Sequence, residues 1–294
     1  MRQPTQRAGD TLIILSPPPT RNHLRYCCRS YTEWKPPICA SGGAGLQADL
    51  KTFHQYGVYG ASVVTLLTVQ NTQSVSAIKI LGSDFVIAQL DAVLDDIMPV
   101  AAKTGALGNA ANVAAIAHRA ATFPFPLVVD PVMISKHGQP LIDDDAVEVL
   151  VRKLLPAAFL VTPNLSEASK LASMKVTDLR TMEKAAAVIA ESGAKHVLVK
   201  GGHLDGDAVD VLWSNGKTYV FPAQRTETRH THGTGCILSA AITARLACGD
   251  DIVSAVTEAK RFITEAIRTC PGLGSGSGPV NMHAIAGPPS FDPR

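Results

Sequence analysis

Residues 127–131 read Leu-Val-Val-Asp-Pro. Three apolar residues in unbroken succession make a strand hidden on both faces, because a strand with one wet face alternates apolar and polar. A carboxylate then ends the run, and Pro131, which has no N–H, stops it. Such a strand asks for parallel neighbours and for helices above and below. The rest of the chain supplies them. Similar strands are expected at about 61–69, 99–104, 158–162 and 196–200. Helical stretches lie between or beside them, at about 84–97, 108–121, 143–155, 165–173 and 179–192. Leu46, Leu50 and Phe53 recur at helical spacing, and Gly57 closes that helix. Residues 208–213 and 217–221, split by Ser214, Asn215 and Gly216, read as an edge hairpin. Two helices follow, at about 235–248 and 251–269, and the run Gly-Leu-Gly-Ser-Gly-Ser-Gly-Pro-Val beyond them reads as a flexible loop. The expected fold is a three-layer α/β domain with a mostly parallel central sheet, helices on both faces and an edge hairpin.

With 294 residues, 46% hydrophobic and 18% charged, the chain can bury a sizeable core. No apolar run approaches the ~18 residues of a membrane span. A net charge of +2 and 5% aromatic residues argue against a nucleic-acid partner. The cysteines, Cys27, Cys28, Cys39, Cys236, Cys248 and Cys270, match neither a zinc site nor a disulfide framework, so a reducing compartment is expected.

Residues 1–40 stand apart, with five arginines, one lysine, six prolines and two acids, Asp10 and Glu33. Within them 11–16 (Thr-Leu-Ile-Ile-Leu-Ser) reads as a short strand, stopped by Pro17, Pro18 and Pro19. An Arg-rich, acid-poor start is the pattern of a transit peptide; a disordered extension or a faulty gene model is the alternative. The domain proper is expected over 41–284, with a disordered tail at 285–294.

Ligands of an open parallel sheet bind outside the carboxyl ends of its strands. There this chain repeatedly places polar residues: Lys103 and Gly105, then Asp130, then Thr162, Pro163 and Asn164 with Glu167 one turn on, then Lys200, Gly201 and Gly202. Each has a plainer reading. Asp130 can be a turn residue before Pro131, Asn164 and Glu167 a reciprocal helix cap, and Lys200 a solvated strand end. Together, an acid, an Asn/Glu pair and a lysine suit a phosphate group with Mg²⁺, an oxygen-seeking ion that keeps several waters. Residues 230–242, His-Thr-His-Gly-Thr-Gly-Cys-Ile-Leu-Ser-Ala-Ala-Ile, carry a glycine loop straight into a helix. Its N–H groups face outward where the helix dipole favours negative charge. Cys236 sits on the first turn, placed to take a proton from an acceptor hydroxyl. A Walker GxxxxGK[ST] loop is absent.

These motifs, with SGGAGLQADLKTF, TVQNTQ, KTGAL, VVDPVMISKHGQPL, VTPNLSEA and VLVKGGHL in order, resemble the hydroxymethylpyrimidine/phosphomethylpyrimidine kinases of thiamin biosynthesis, in the ribokinase superfamily. The likeness runs from about Ser41 to Met282, some four-fifths of the chain. It implies a ribokinase-like fold and ATP-dependent phosphorylation of 4-amino-5-hydroxymethyl-2-methylpyrimidine, then of its monophosphate. It implies that Asp49 and Gln70 contact the pyrimidine, with Ala106 and Val132 on the pocket wall. Gly233, Thr234 and Gly235 would form the anion hole, and Cys236 would be the base. Asp130, Asn164 and Glu167 would belong to the Mg²⁺–phosphate network, Asp130 and Glu167 on the metal side. Lys200, Asn164 and Glu167 would serve ATP. The partners are then small molecules, and a cytoplasmic homodimer is expected.

Two departures stand out. The family usually has methionine where this chain has Ala106, which implies a larger pocket or one apolar contact fewer. Its strand–AGSD–x–SGGAG signature survives here only as Ser41–Gly45, so residues 15–40 read as an irregular insertion at the mouth of the site. Pyridoxal kinase of the same subgroup stays open as an alternative, as does a pyrimidine-binding pseudokinase whose substrate loop is disrupted.

Overall fold

The computed structural model describes residues 11–16, 41–135, 138–202, 204 and 206–285. The insertion expected over 15–40 lies outside the described residues from Pro17 onward, as does the tail from residue 286.

Eight strands form one sheet in the order β10-β9-β8-β7-β6-β5-β1-β2. The parallel centre is β5 (Ala101–Thr104), β6 (Leu127–Val129), β7 (Leu160–Val161) and β8 (His196–Val199). Every residue of these four strands is buried, which is why they read as continuous apolar runs. Alternate side chains go to opposite layers. Val129, Val161, Val197 and Val199 pack towards α2 (Ser83–Leu94), α3 (Ala110–Ala120), α4 (Asp144–Val149), α5 (Leu165–Leu171) and α6 (Leu179–Ala190). Val128, Leu160 and Leu198 pack towards α7 (Thr234–Ala247) and α8 (Ile252–Arg268), with α1 (Gly45–Gln55) beside α7. Full burial of each such side chain favours the fold by about 1.5–3 kcal/mol.

The edge hairpin is present as β9 (Asp210–Ser214) and β10 (Lys217–Phe221). Asn215 (φ 50°) and Gly216 (φ 77°) make its two-residue turn, both left-handed, as strand twist demands. Helix starts follow their sequence signals: Asn109 caps α3, Asp178 caps α6 and Asp251 caps α8.

Three expectations need correcting. The strand at 61–69 is two strands. β2 (Tyr59–Val64) belongs to the large sheet, whereas β3 (Leu66–Gln70) pairs with β4 (Val75–Ile80) in a separate hairpin. The break falls at Thr65, whose buried hydroxyl donates to the Ala106 carbonyl at 2.8 Å. The helix at 143–155 stays α-helical only to Val149, then loosens into a π turn and a short 3₁₀ turn around Pro156, which has no N–H to continue it. β1 (Thr11–Ser16) is the short strand expected there, and it runs antiparallel to both β2 and β5. Leu12 is therefore level with Thr104 at the carboxyl edge of the sheet, while Ser16 is beside Tyr59 at the opposite edge. Finally, the glycine-rich run after α8 is docked rather than loose: Ser277 N–H donates to the Thr72 carbonyl at 2.8 Å.

Candidate active site

The carboxyl ends of β5 to β8 and the amino end of α7 converge on one charged cluster. Asp130, just past β6, is 2% exposed. Its Oδ1 accepts from Lys200 Nζ at 2.9 Å and from Thr162 Oγ1 at 3.1 Å, and its Oδ2 accepts from Ser239 Oγ at 3.2 Å. Burial works against the Asp130 carboxylate; Lys200 and Lys103 outweigh it and hold its pKa below the ordinary value. Lys200 is therefore no solvated strand end. Burial disfavours its charge, but Asp130 and Glu167 more than compensate, and its pKa rises.

Lys103 lies in β5, wholly buried, with Nζ 2.7 Å from Asp49 Oδ2 on α1. Desolvation disfavours its charge, but Asp49, Cys236 and Asp130 outweigh that and raise its pKa. Cys236 thus interacts electrostatically with both Lys103 and Lys200. A thiolate is the form that gains from two ammonium neighbours and a helix N-terminus.

The glycine loop behaves as its sequence suggests. Gly233 is the α7 N-cap with φ 79°, and no side chain caps that helix. A Cβ at Gly233 would stand 1.9 Å from the Gly43 carbonyl, so the loops 41–45 and 230–236 touch backbone to backbone. A Cβ at Gly235 would stand 3.2 Å from Lys200 Nζ, which places that ammonium directly beside the first turn of α7.

Asn164 and Glu167 form a full capping box at the start of α5, with Asn164 N–H to Glu167 Oε2 at 2.8 Å and Glu167 N–H to Asn164 Oδ1 at 2.9 Å. The structural reading of that pair is realised, and it does not use up the carboxylate. Burial, opposed by Lys200 and assisted by Asp130, raises the Glu167 pKa to about 7. A cavity of about 380 Å³ lies beside this cap, lined by Met133, Ile134, Pro140, Ile142, Asn164 and Glu167 among others; neither Cys236 nor Lys200 lines it.

Gln70 ends β3 at a register irregularity and lies 3.4 Å from the buried His232, nitrogen to nitrogen. Ala106 and Val132 meet in a small apolar cluster with Leu66, Leu141 and Ile78. Ala106 is 1% exposed, so neighbours from the β3–β4 hairpin occupy the space around it. Sequence reasoning left Ser239 and His232 out of the site. Ser239 had a signal, one helical turn after Cys236; His232 had only its place before Gly233.

Among the described residues, no group of three or more His, Cys, Asp or Glu could hold a metal alone. Asp130 and Glu167 offer oxygens only. That donor set fits Mg²⁺ with retained waters and phosphate oxygens completing its shell.

A parallel sheet with a phosphate-suited helix N-terminus, a thiol on its first turn and a lysine–carboxylate network at adjacent strand ends defines a small-molecule kinase of the ribokinase-like class. A family model described as phosphomethylpyrimidine kinase matches residues 40–281, and the chain belongs to that family. It is 46% identical to the hydroxymethylpyrimidine/phosphomethylpyrimidine kinase of Rhizobium meliloti, over 82% of this chain and 92% of that one. It is 47% identical to the thiamine biosynthesis bifunctional protein ThiED of Geobacter sulfurreducens over 84% of this chain, and spans 51% of that longer protein. Among solved structures, the ADP complex of Bacillus subtilis pyridoxal kinase superposes with a TM-score of 0.78 at 36% identity, over 83% of this chain and 94% of that one. Phosphomethylpyrimidine kinase from Clostridium difficile gives 0.69 at 42% identity, over 78% and 95%.

Proposed function

We propose that this protein transfers the ATP γ-phosphoryl group to the hydroxymethyl oxygen of 4-amino-5-hydroxymethyl-2-methylpyrimidine, and then phosphorylates the monophosphate to the diphosphate. The observation that carries this reading is the position of Cys236. It lies on the first turn of α7, electrostatically linked to Lys103 and Lys200, in a chain of the phosphomethylpyrimidine kinase family.

In this reading Gln70 donates to and accepts from the pyrimidine ring edge, with Ala106 and Val132 as apolar wall. Asp49, paired with Lys103, shapes the same side of the pocket. Cys236 takes the proton from the hydroxymethyl group. The backbone N–H groups of Gly233, Thr234 and Gly235 stabilise charge developing on the transferred phosphoryl. Lys200, with Asn164, steadies the nucleotide phosphates. Asp130 and Glu167 would hold Mg²⁺, which when bound offsets phosphate charge. The catalysis is mainly positioning and electrostatics. A cytoplasmic homodimer belongs to this reading, as does the reducing compartment expected from the cysteine spacing.

The test is phosphorus NMR of the purified protein with the pyrimidine, ATP and Mg²⁺. Successive mono- and diphosphate signals that vanish with EDTA are expected. Full turnover in EDTA would remove Asp130 and Glu167 from the metal role.

A further inference from the structure

We infer that the glycine run 272–278 is a strap that positions the β3–β4 hairpin, and with it Gln70, against the loop leading into α7, with Thr72 as the positioning residue it grips. This rests on reading Gln70 as an acceptor contact.

The strap touches both sides of the site. At the hairpin tip, Ser277 N–H donates to the Thr72 carbonyl at 2.8 Å and Gly276 N–H to Thr72 Oγ1 at 3.3 Å. Gln73 Nε2 donates to Ser275 Oγ at 2.9 Å. On the other side, Ser277 Oγ donates to the Arg229 carbonyl at 2.9 Å, Gly278 N–H to His230 Nδ1 at 3.2 Å, and His232 N–H to the Gly278 carbonyl at 3.1 Å. One short segment therefore ties the tip of the hairpin to Arg229, His230 and His232, just ahead of the anion loop. Its base is fixed, because Asn281 N–H returns to the Ala266 carbonyl on α8 at 2.9 Å.

The glycines are needed for contact. A Cβ at Gly276 would stand 2.0 Å from the Thr72 carbonyl oxygen, a backbone atom that cannot swing aside. One at Gly278 would stand 2.1 Å from the Leu273 carbonyl. The base of the hairpin is held by Leu66 and Ile78 against Ala106 and Val132 and by the Thr65 hydroxyl on the Ala106 carbonyl; the strap adds the ties at its tip. Asn71 Oδ1 accepts from Gln73 and Ser74 N–H, which rigidifies the tip without fastening it to anything. On β4 only Val75 is buried. Gln70 is two residues from Thr72, so the grip on Thr72 is transmitted to the Gln70–His232 contact through a short, hydrogen-bonded piece of backbone.

The experiment compares Gly276→Val, which forces strap and tip apart, with the double variant Thr72→Val, Gln73→Ala, which removes two side-chain ties without a clash. In Gly276→Val, amide exchange over 66–80 should accelerate by about tenfold or more while α6 keeps its protection. KM for the pyrimidine should rise by about tenfold, with KM for ATP within about twofold of wild type. The double variant should shift both readouts the same way by less. Unchanged exchange in the hairpin, or KM rising equally for both substrates, would overturn the strap. If the wild type phosphorylates no pyrimidine, the proposed function fails, and hairpin exchange still decides the strap.

Discussion

Lys103 Nζ lies 2.7 Å from Asp49 Oδ2, 54 residues away in sequence, with neither side chain more than 3% exposed. A buried ion pair of this kind contributes little over a packed apolar pair, but breaking it strands a charge. Asp49→Asn should therefore destabilise the protein by about 3–5 kcal/mol, while the double variant Asp49→Leu, Lys103→Met should recover much of that loss. Denaturant titration of the three proteins measures it. Equal losses in single and double variants would mean that the pair is not coupled.

Cys236→Ala should lower kcat by roughly 10²–10⁴-fold, with little change in KM for the pyrimidine. Steady-state kinetics would show it. Turnover within a few-fold of wild type would leave the backbone amides of the anion loop as the main catalytic device.

Much of this site was legible in sequence, and the gaps have physical causes. The runs ending at Asp130 and Lys200 were readable because strands buried on both faces carry no alternation. The capping box of Asn164 and Glu167 is a local pattern, and so is the Asn215–Gly216 turn. What escaped was non-local or weakly patterned. β4 shows only Val75 to the interior, so it has no apolar run to announce it. The Lys103–Asp49 pair and the tie of Gly276 to Thr72, 204 residues apart, exist only once the topology has closed. The direction of β1 is equally invisible, because a short apolar strand fits a sheet either way.

Glu167 offers a pH test. Burial raises its pKa from the ordinary 4.5 to about 7, so the folded protein holds this proton more tightly than the unfolded chain. Its contribution then favours the folded state at low pH and is lost as pH rises from about 4.5 through about 7. Without Mg²⁺, the loss should be on the order of 1–3 kcal/mol. Glu167→Gln keeps a side chain able to complete the capping box, and its stability should lack this slope. Parallel pH–stability curves for the two proteins would contradict the assignment.

β1 ends at the sheet edge opposite the site, and Ser41 resumes at the site itself, where Gly43 meets His232. We propose that residues 15–40 interrupt a substrate loop. Replacing them with a short Ala-Gly-Ser-Asp-Pro link should restore that loop. The expected result is a rise of about tenfold in kcat/KM for the pyrimidine, about 1.4 kcal/mol of transition-state binding. An intact chain that already matches the shortened one would show the segment to be harmless.

The most direct test of the central claim is a competition in one vessel, with the pyrimidine and pyridoxal at equal concentration, ATP and Mg²⁺, and product formation followed for each. The ratio of rates is the ratio of kcat/KM, which is what specificity means for an enzyme. The account predicts that the pyrimidine is consumed first and proceeds to the diphosphate. Preferential phosphorylation of pyridoxal, or binding of the pyrimidine without any phosphoryl transfer, would contradict it.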